Sequence, residues 1–289
     1  MEKEIKKTES FQTDSKEILE FYNNNDNYLI EEGTSKNHET NYCAIYFSSH
    51  DIYYPNTPLA FHNQLVKRNR FEWYGSRINI ASKHIFIRDI KKQWYLSGIN
   101  SEINSIEKMF NFLKKETEKY EVITVGSSAG GFAAMLFGQL LNASKVISFN
   151  GQTQLFDLLQ NSNKETNPLV FRFVNHPNIN KFYSIKEYIK KPETIFYFYS
   201  NKSDWDLIQY NHVAEIPINF ISFNTNHHGI PFLKSSVSEV INLSNQQLEK
   251  FTYTNHNPFI FSAKIEGWLN AIKSVYNQLT LKIKKKLNK

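Results

Sequence analysis

A serine, two carboxylates and a pair of histidines occur along this chain in an order and in local settings that suit acyl transfer. Gly126-Ser127-Ser128-Ala129-Gly130-Gly131 contains Gly-x-Ser-x-Gly, placed between the apolar run 122–125 and a small-residue apolar segment over 132–141. Between a strand and a helix, such a turn is too tight for large neighbours. It holds its serine in a strained backbone conformation with the hydroxyl clear of the sheet. Glycines at 126 and 130 meet that need, which makes Ser128 the candidate nucleophile. The N–H of Ala129 would then lie at a helix N-terminus, where a developing oxyanion is stabilised. A phosphate-cradling use of the loop is set aside, because neither Gly-x-x-x-x-Gly-Lys-Ser/Thr nor Gly-x-Gly-x-x-Gly occurs.

A serine hydroxyl is a weak nucleophile at neutral pH and needs a base, itself oriented by an acid, in the chain order Ser, Asp or Glu, His. Downstream of the run 194–199 lies Ser200-Asn201-Lys202-Ser203-Asp204-Trp205-Asp206, and after 218–223 comes Asn224-Thr225-Asn226-His227-His228-Gly229. Asp204, nearer the strand end, is favoured over Asp206 as the acid, because Asp206 also suits the N-cap of a helix beginning near Leu207. His228 is the favoured base, since Gly229 permits a sharp turn that swings the imidazole back over the sheet. His227 then faces outward or touches substrate. The other histidines lack metal-ligand spacing, and Cys43 is the only cysteine, so no metal is expected and a disulfide within the chain is excluded.

The elements that must position these residues alternate. Apolar runs at 42–47, 84–89, 122–125, 145–149, 194–199 and 218–223 read as buried strands, and 102–118 and 132–141 carry helical spacing. Strands separated by helices imply an α/β fold with a mostly parallel sheet covered on both faces, its site at the carboxyl ends of the strands. The segment 152–192 departs from this rhythm and reads as an insertion over the sheet edge. Residues 1–40 are polar and read as a lead-in, leaving 41–289 as one domain that ends in a basic amphipathic helix. With 40% hydrophobic and 21% charged residues over 289 positions, the composition supports a sizeable core and excludes disordered and fibrous classes.

Ser128 in its Gly-Ser-Ser-Ala-Gly-Gly turn, Asp204 in Asn-Lys-Ser-Asp and His228 in Asn-His-His-Gly resemble the triad of the α/β-hydrolase superfamily. The turn also resembles that of its bacterial capsule and surface-polysaccharide O-acetyltransferase branch. The likeness spans roughly 42–245. It implies a cytoplasmic enzyme that takes an acetyl group from acetyl-CoA onto the serine and passes it to a sugar hydroxyl. It also implies a second oxyanion donor just after the strand ending at Phe47, the N–H of Ser49 or else of Ser48. The same residues serve an esterase that deacylates glycans; a third reading is a non-catalytic hydrolase-fold partner in a polysaccharide-synthesis or secretion assembly. Arg88, Trp94 and Tyr95 follow a strand end and read as pocket residues, with aromatic faces for a sugar ring and a cation for a phosphate or carboxylate. A structural contact between Arg88 and Asp89 is the competing reading.

The formal net charge is +6, from 34 Lys+Arg against 28 Asp+Glu, and the excess gathers at the C-terminus. There Lys282-Ile-Lys-Lys-Lys-Leu-Asn-Lys289 continues a helical pattern of apolar residues from Ile265 through Trp268, Leu269, Ile272, Val275, Tyr276, Leu279, Ile283 and Leu287. This segment is either a basic helix that meets an anionic membrane or a core-packed final helix with solvated lysines. No RNA-binding motif accompanies the aromatics, so nucleic acid is not an expected partner. The charged start from Met1 to Lys7 lacks an apolar segment, and no 18 uninterrupted apolar residues occur. The expected location is the cytoplasm, at the inner face of the membrane if the last helix touches it.

Overall fold

Alternation of side chains along each buried strand sends large apolar groups to both faces of one sheet, and two helical layers grow from that. In the computed structural model, residues 10–33 and 41–287 are described. Among them the strands are β1 (Tyr28–Glu32), β2 (Tyr42–Phe47), β3 (Ala81–Ile87), β4 (Glu121–Ser127), β5 (Lys145–Phe149), β6 (Ile195–Ser200), β7 (Asn219–Phe223) and β8 (Asn255–His256). They join in the order β1-β3-β2-β4-β5-β6-β7-β8, all parallel except β1, which runs antiparallel to β3. From β2, Cys43, Ile45 and Phe47 turn to one face, where they meet Phe132 and Phe137; Ala44 and Tyr46 turn to the other, with Phe86, Phe198 and Phe223.

The helix Ala129–Leu140 follows β4 directly and is buried from Ala129 through Gln139, which explains its run of small residues. Thr124 on β4 donates its hydroxyl to the Ala134 carbonyl at 2.8 Å, tying helix to strand. Ile106–Thr117 covers the same face through Met109 and Leu113.

Two expectations change. Residues 10–33 are not a loose lead-in: β1 pairs with β3 from Tyr28↔Ile87 to Glu32↔Lys83, and Ile18 and Tyr22 pack against Ile52, Tyr53 and Phe61. An edge strand shows water on one side, so its half-polar pattern hides it in the sequence. Positions 1–9 and 34–40 of that lead-in lie outside the described residues. Nor does 152–192 sit over the sheet edge. It connects β5 to β6, neighbours in the middle of the sheet, and its Thr166 and Asn167 line the cavity that holds Ser128. A bridge between Gln154 and Ser184 closes its base, while Ser10 and Gln12 donate to the carbonyls of Glu165 and Thr166. Composition marks a break in the α/β rhythm but not which strands flank it.

Candidate active site

Ser128 stands between β4 and its helix with φ 54° and ψ −122°, a conformation that costs a non-glycine residue of order 1–3 kcal/mol and persists only where the surroundings enforce it. Here they do. The Ser128 N–H donates to the Phe149 carbonyl at 2.9 Å, and the backbone on either side is packed against its neighbours. A Cβ at Gly126 would come within 2.0 Å of the Gly130 carbonyl oxygen, and one at Gly130 within 2.3 Å of the Phe47 carbonyl oxygen. The two glycines therefore let the start of the helix press onto the end of β2.

The base and acid arrive from β7 and β6. His228 Nε2 lies 2.8 Å from Ser128 Oγ, and His228 Nδ1 lies 2.7 Å from Asp206 Oδ1. The carboxylate facing the imidazole is Asp206, not Asp204. Ser203, rather than Asp206, caps the helix Asp204–Val213, its hydroxyl accepting the Asp206 N–H at 3.3 Å. One helical turn then points Asp206 inward, where it is wholly buried with Oδ2 unpartnered, and leaves Asp204 exposed. The His228 loop is held from below. Ser200 Oγ donates to the His227 carbonyl at 2.6 Å, and Asn150 Nδ2 donates to the carbonyls of His227 and Gly229 at 3.2 and 3.0 Å.

This order of strands, with a serine turn after β4, a carboxylate after β6 and a histidine after β7, settles the architecture. The fold is that of the α/β-hydrolases.

Gln152 also reaches the serine, and no motif in the sequence marks it. Its Nε2 donates to Ser128 Oγ at 3.4 Å, while its Oε1 accepts the Trp94 indole N–H at 2.9 Å. Because an indole only donates, this bond fixes the amide with its NH₂ toward the serine. Trp94 is placed by a strained loop in which Lys92, Trp94 and Tyr95 all have positive φ, braced by the Asp89 carboxylate accepting the N–H groups of Lys92, Gln93 and Tyr95. Burial pushes the Asp89 carboxyl up from its ordinary value, and those N–H groups pull it back.

The expected second oxyanion donor is engaged elsewhere. The Ser49 N–H donates to Glu72 Oε2 at 2.7 Å, and the Ser48 N–H to the Ile87 carbonyl. Glu72 comes from a loop without regular pattern, and burial raises its carboxyl pKa. Ala129 and His50 each open a helix, where the first N–H groups have no partner within the helix itself. The His50 ring meets Trp94 edge-on at 4.5 Å, and burial together with the charges of Lys92 and His228 holds it well below the ordinary histidine pKa.

Two cavities meet beside His228 and share Ser49, Asp51, Ser127, His228 and Gly229. The larger, about 480 Å³, adds Ser128, His50, Trp94, Gln152 and Trp205, with Thr166 and Asn167 from the segment between β5 and β6. The smaller, about 330 Å³, adds Arg70, Glu72, Trp73, His227 and Lys234. Trp94 lines the larger cavity and His227 the smaller. Arg88 and Tyr95 line neither. The Arg88 guanidinium is buried on Asn27, Asn69 and the Arg70 carbonyl, lies 4.3 Å over the Phe71 ring, and has its pKa lowered by burial to about 10. Nor does it pair with Asp89, whose carboxylate is taken up by the backbone. Tyr95 donates its hydroxyl to the Ser48 carbonyl at 2.9 Å and supports the loop from beneath. Among the described residues, no cluster of His, Cys, Asp and Glu could hold a metal ion.

The sequence matches no protein-family model and no curated protein. Among solved structures, the chain is similar to a protein of unknown function from Staphylococcus aureus (13% identity, 78% of this chain and 94% of that one, TM-score 0.42). It is also similar to the capsule O-acetyltransferase of Neisseria meningitidis serogroup A (15%, 68% and 80%, 0.45) and to S-formylglutathione hydrolase of S. aureus (9%, 77% and 92%, 0.44). At these scores the fold rests on the sheet order and the site geometry of the chain itself.

Proposed function

We propose that this protein is a serine-dependent O-acyltransferase, moving an acetyl group from acetyl-CoA through Ser128 to a sugar hydroxyl of a bacterial surface polysaccharide. The continuous chain Asp206–His228–Ser128, at 2.7 and 2.8 Å, carries the reading. Asp206 holds the neutral imidazole with its proton on Nδ1, so Nε2 takes the Ser128 proton as Oγ attacks the thioester carbonyl. Ala129 and His50, each opening a helix, are the N–H donors offered to the oxyanion, and the Gln152 amide donates to Oγ. The tetrahedral intermediate collapses with expulsion of the CoA thiolate, which His228 protonates. An acceptor hydroxyl then gives its proton to His228 as it attacks the acyl-serine, and His228 returns that proton to Ser128 Oγ as the ester bond to the serine breaks.

Acetyl-CoA and a glycan acceptor are supported by the likeness of the Gly-Ser-Ser-Ala-Gly-Gly turn to capsule O-acetyltransferases. Two cavities meeting at Ser127 and His228 support transfer, because donor and acceptor each need room beside the nucleophile. Hydrolysis is the competing outcome, favoured by the 39% exposure of the His228 side chain, which admits water to the acyl-serine. The test is thiol release from acetyl-CoA by wild type and Ser128→Ala, with and without a panel of polysaccharides. Acceptor-stimulated release that requires Ser128 supports transfer. Hydrolysis of a simple aryl acetate by wild type alone, with acetyl-CoA untouched, replaces it with the esterase.

A further inference from the structure

The last helix, Trp268–Leu287, leaves the domain at Gly267, whose φ of 88° breaks it from the helix Pro258–Glu266. It rests on the domain through Ala271, Ser274 and Val275. Of the apolar stripe read from the sequence, Val275 is half-buried and most of the rest faces outward. Trp268, Leu269, Ile272, Tyr276 and Leu279 are 56, 84, 55, 68 and 54% exposed. At 3.6 residues per turn they fall within a sector of about 100°, a coherent apolar face with no covering element among the described residues. The same spacing continues in the sequence at Ile283 and Leu287.

Charge decides what suits that face. From Trp268 to Lys289 the sequence holds Lys273, Lys282, Lys284, Lys285, Lys286 and Lys289, and no Asp or Glu. Pairing with a second copy would bring like charges together with no acid to offset them, whereas an anionic surface satisfies the lysines and the apolar stripe at once. Trp and Tyr on the stripe suit the boundary between headgroups and acyl chains. Among the described residues no helix is long and apolar enough to cross a membrane, so this one, about 30 Å long, fits a surface-lying role.

We infer that the helix Trp268–Leu287 docks the protein on an anionic lipid bilayer, lying in the interface with its apolar stripe inserted. The helix packs against the turn Lys234–Ser236, and Lys234 lines the smaller cavity. Docking therefore places the site next to the bilayer surface.

The full chain is sedimented with vesicles of phosphatidylcholine alone and of phosphatidylcholine mixed with phosphatidylglycerol. The expected result is binding to the mixed vesicles only, weakened by salt, with each change such as Lys273→Gln or Lys282→Gln lowering the partition coefficient roughly five-fold. The pair Ile272→Glu and Leu279→Glu releases the protein while aryl acetate hydrolysis persists, which shows that the domain is folded. Equal binding to both vesicles, or none to either, overturns the inference. So does light scattering that finds a dimer which the Glu pair converts to monomer.

Discussion

Replacing Asp206 by asparagine separates the acid seen in the structure from its neighbour two residues earlier. In the wild type Oδ1 accepts from His228 Nδ1 at 2.7 Å, while Oδ2 is buried without a partner. An asparagine there has two orientations. With its oxygen toward His228, the NH₂ occupies the unpartnered position and leaves N–H donors buried and unmet, at about 1–3 kcal/mol. Flipped, the NH₂ donates to Nδ1 and drives the imidazole proton to Nε2, facing Ser128 Oγ 2.8 Å away. The flipped form is preferred, and in it the imidazole cannot take the serine proton. The expected loss in kcat is on the order of 10⁴, the size known for trapping the wrong tautomer in a serine triad, or about 5.5 kcal/mol of barrier. Asp204→Asn removes only an exposed acid from the first turn of a helix and costs about 0.3–1 kcal/mol of stability, with activity nearly unchanged. Aryl acetate kinetics and the rate of fluorophosphonate labelling read both variants. The reasoning fails if Asp206→Asn keeps activity within about ten-fold of wild type, or if Asp204→Asn loses as much.

Gln152→Leu removes the amide from Ser128 Oγ and should lower kcat of ester hydrolysis by about 10–100-fold with little change in KM, and Trp94→Phe, which frees the amide to flip, should fall between; unchanged kcat in both refutes that role. Gly130→Ala forces a methyl group to within 2.3 Å of the Phe47 carbonyl oxygen and should cost about 3 kcal/mol in urea unfolding. Lys145 is buried with its amine on the Leu243 carbonyl, and burial lowers its pKa to about 8. Since the folded state sheds this proton more readily than the unfolded one, the penalty is full below about pH 8 and fades toward the ordinary lysine range. The stability of wild type relative to Lys145→Met should therefore rise with pH across that window; a constant or falling difference contradicts it. Cys43 is fully buried with its thiol pushed up to about 12, so a disulfide reagent should modify it only after denaturation.

Much of the fold and of the site is legible in the sequence because buried strands alternate and tight turns demand glycine. The Gly126–Gly130 spacing locates the serine, and with it the following residue, Ala129, at the helix start. His228 follows from Gly229, whose φ of 103° makes the turn. Distance from the strand end misleads about the acid. Ser203-x-x-Asp206 is itself a helix-start signal, and read as Ser203 capping the turn it puts Asp206 one turn in, facing the sheet. Glu72 and Gln152 leave no such signal. Each acts through a partner distant in sequence, Ser49 for one and Trp94 for the other, and a neutral amide carries neither charge nor motif. Arg88 is the converse case: a cation at a strand end reads as a ligand group until Asn27 and Asn69 are seen to enclose it. For the final helix, periodicity reveals the stripe, but only the packing of Ala271 against the domain shows that the stripe faces outward.

The most direct test of acyl transfer through Ser128 is peptide mass mapping after a brief incubation with acetyl-CoA. One acetyl group should appear on Ser128 of the wild type and disappear when an acceptor polysaccharide is added, with the acetyl recovered on the glycan. An acceptor acetylated equally well by Ser128→Ala, or a wild type that transfers acetyl without ever carrying it on Ser128, would contradict the mechanism.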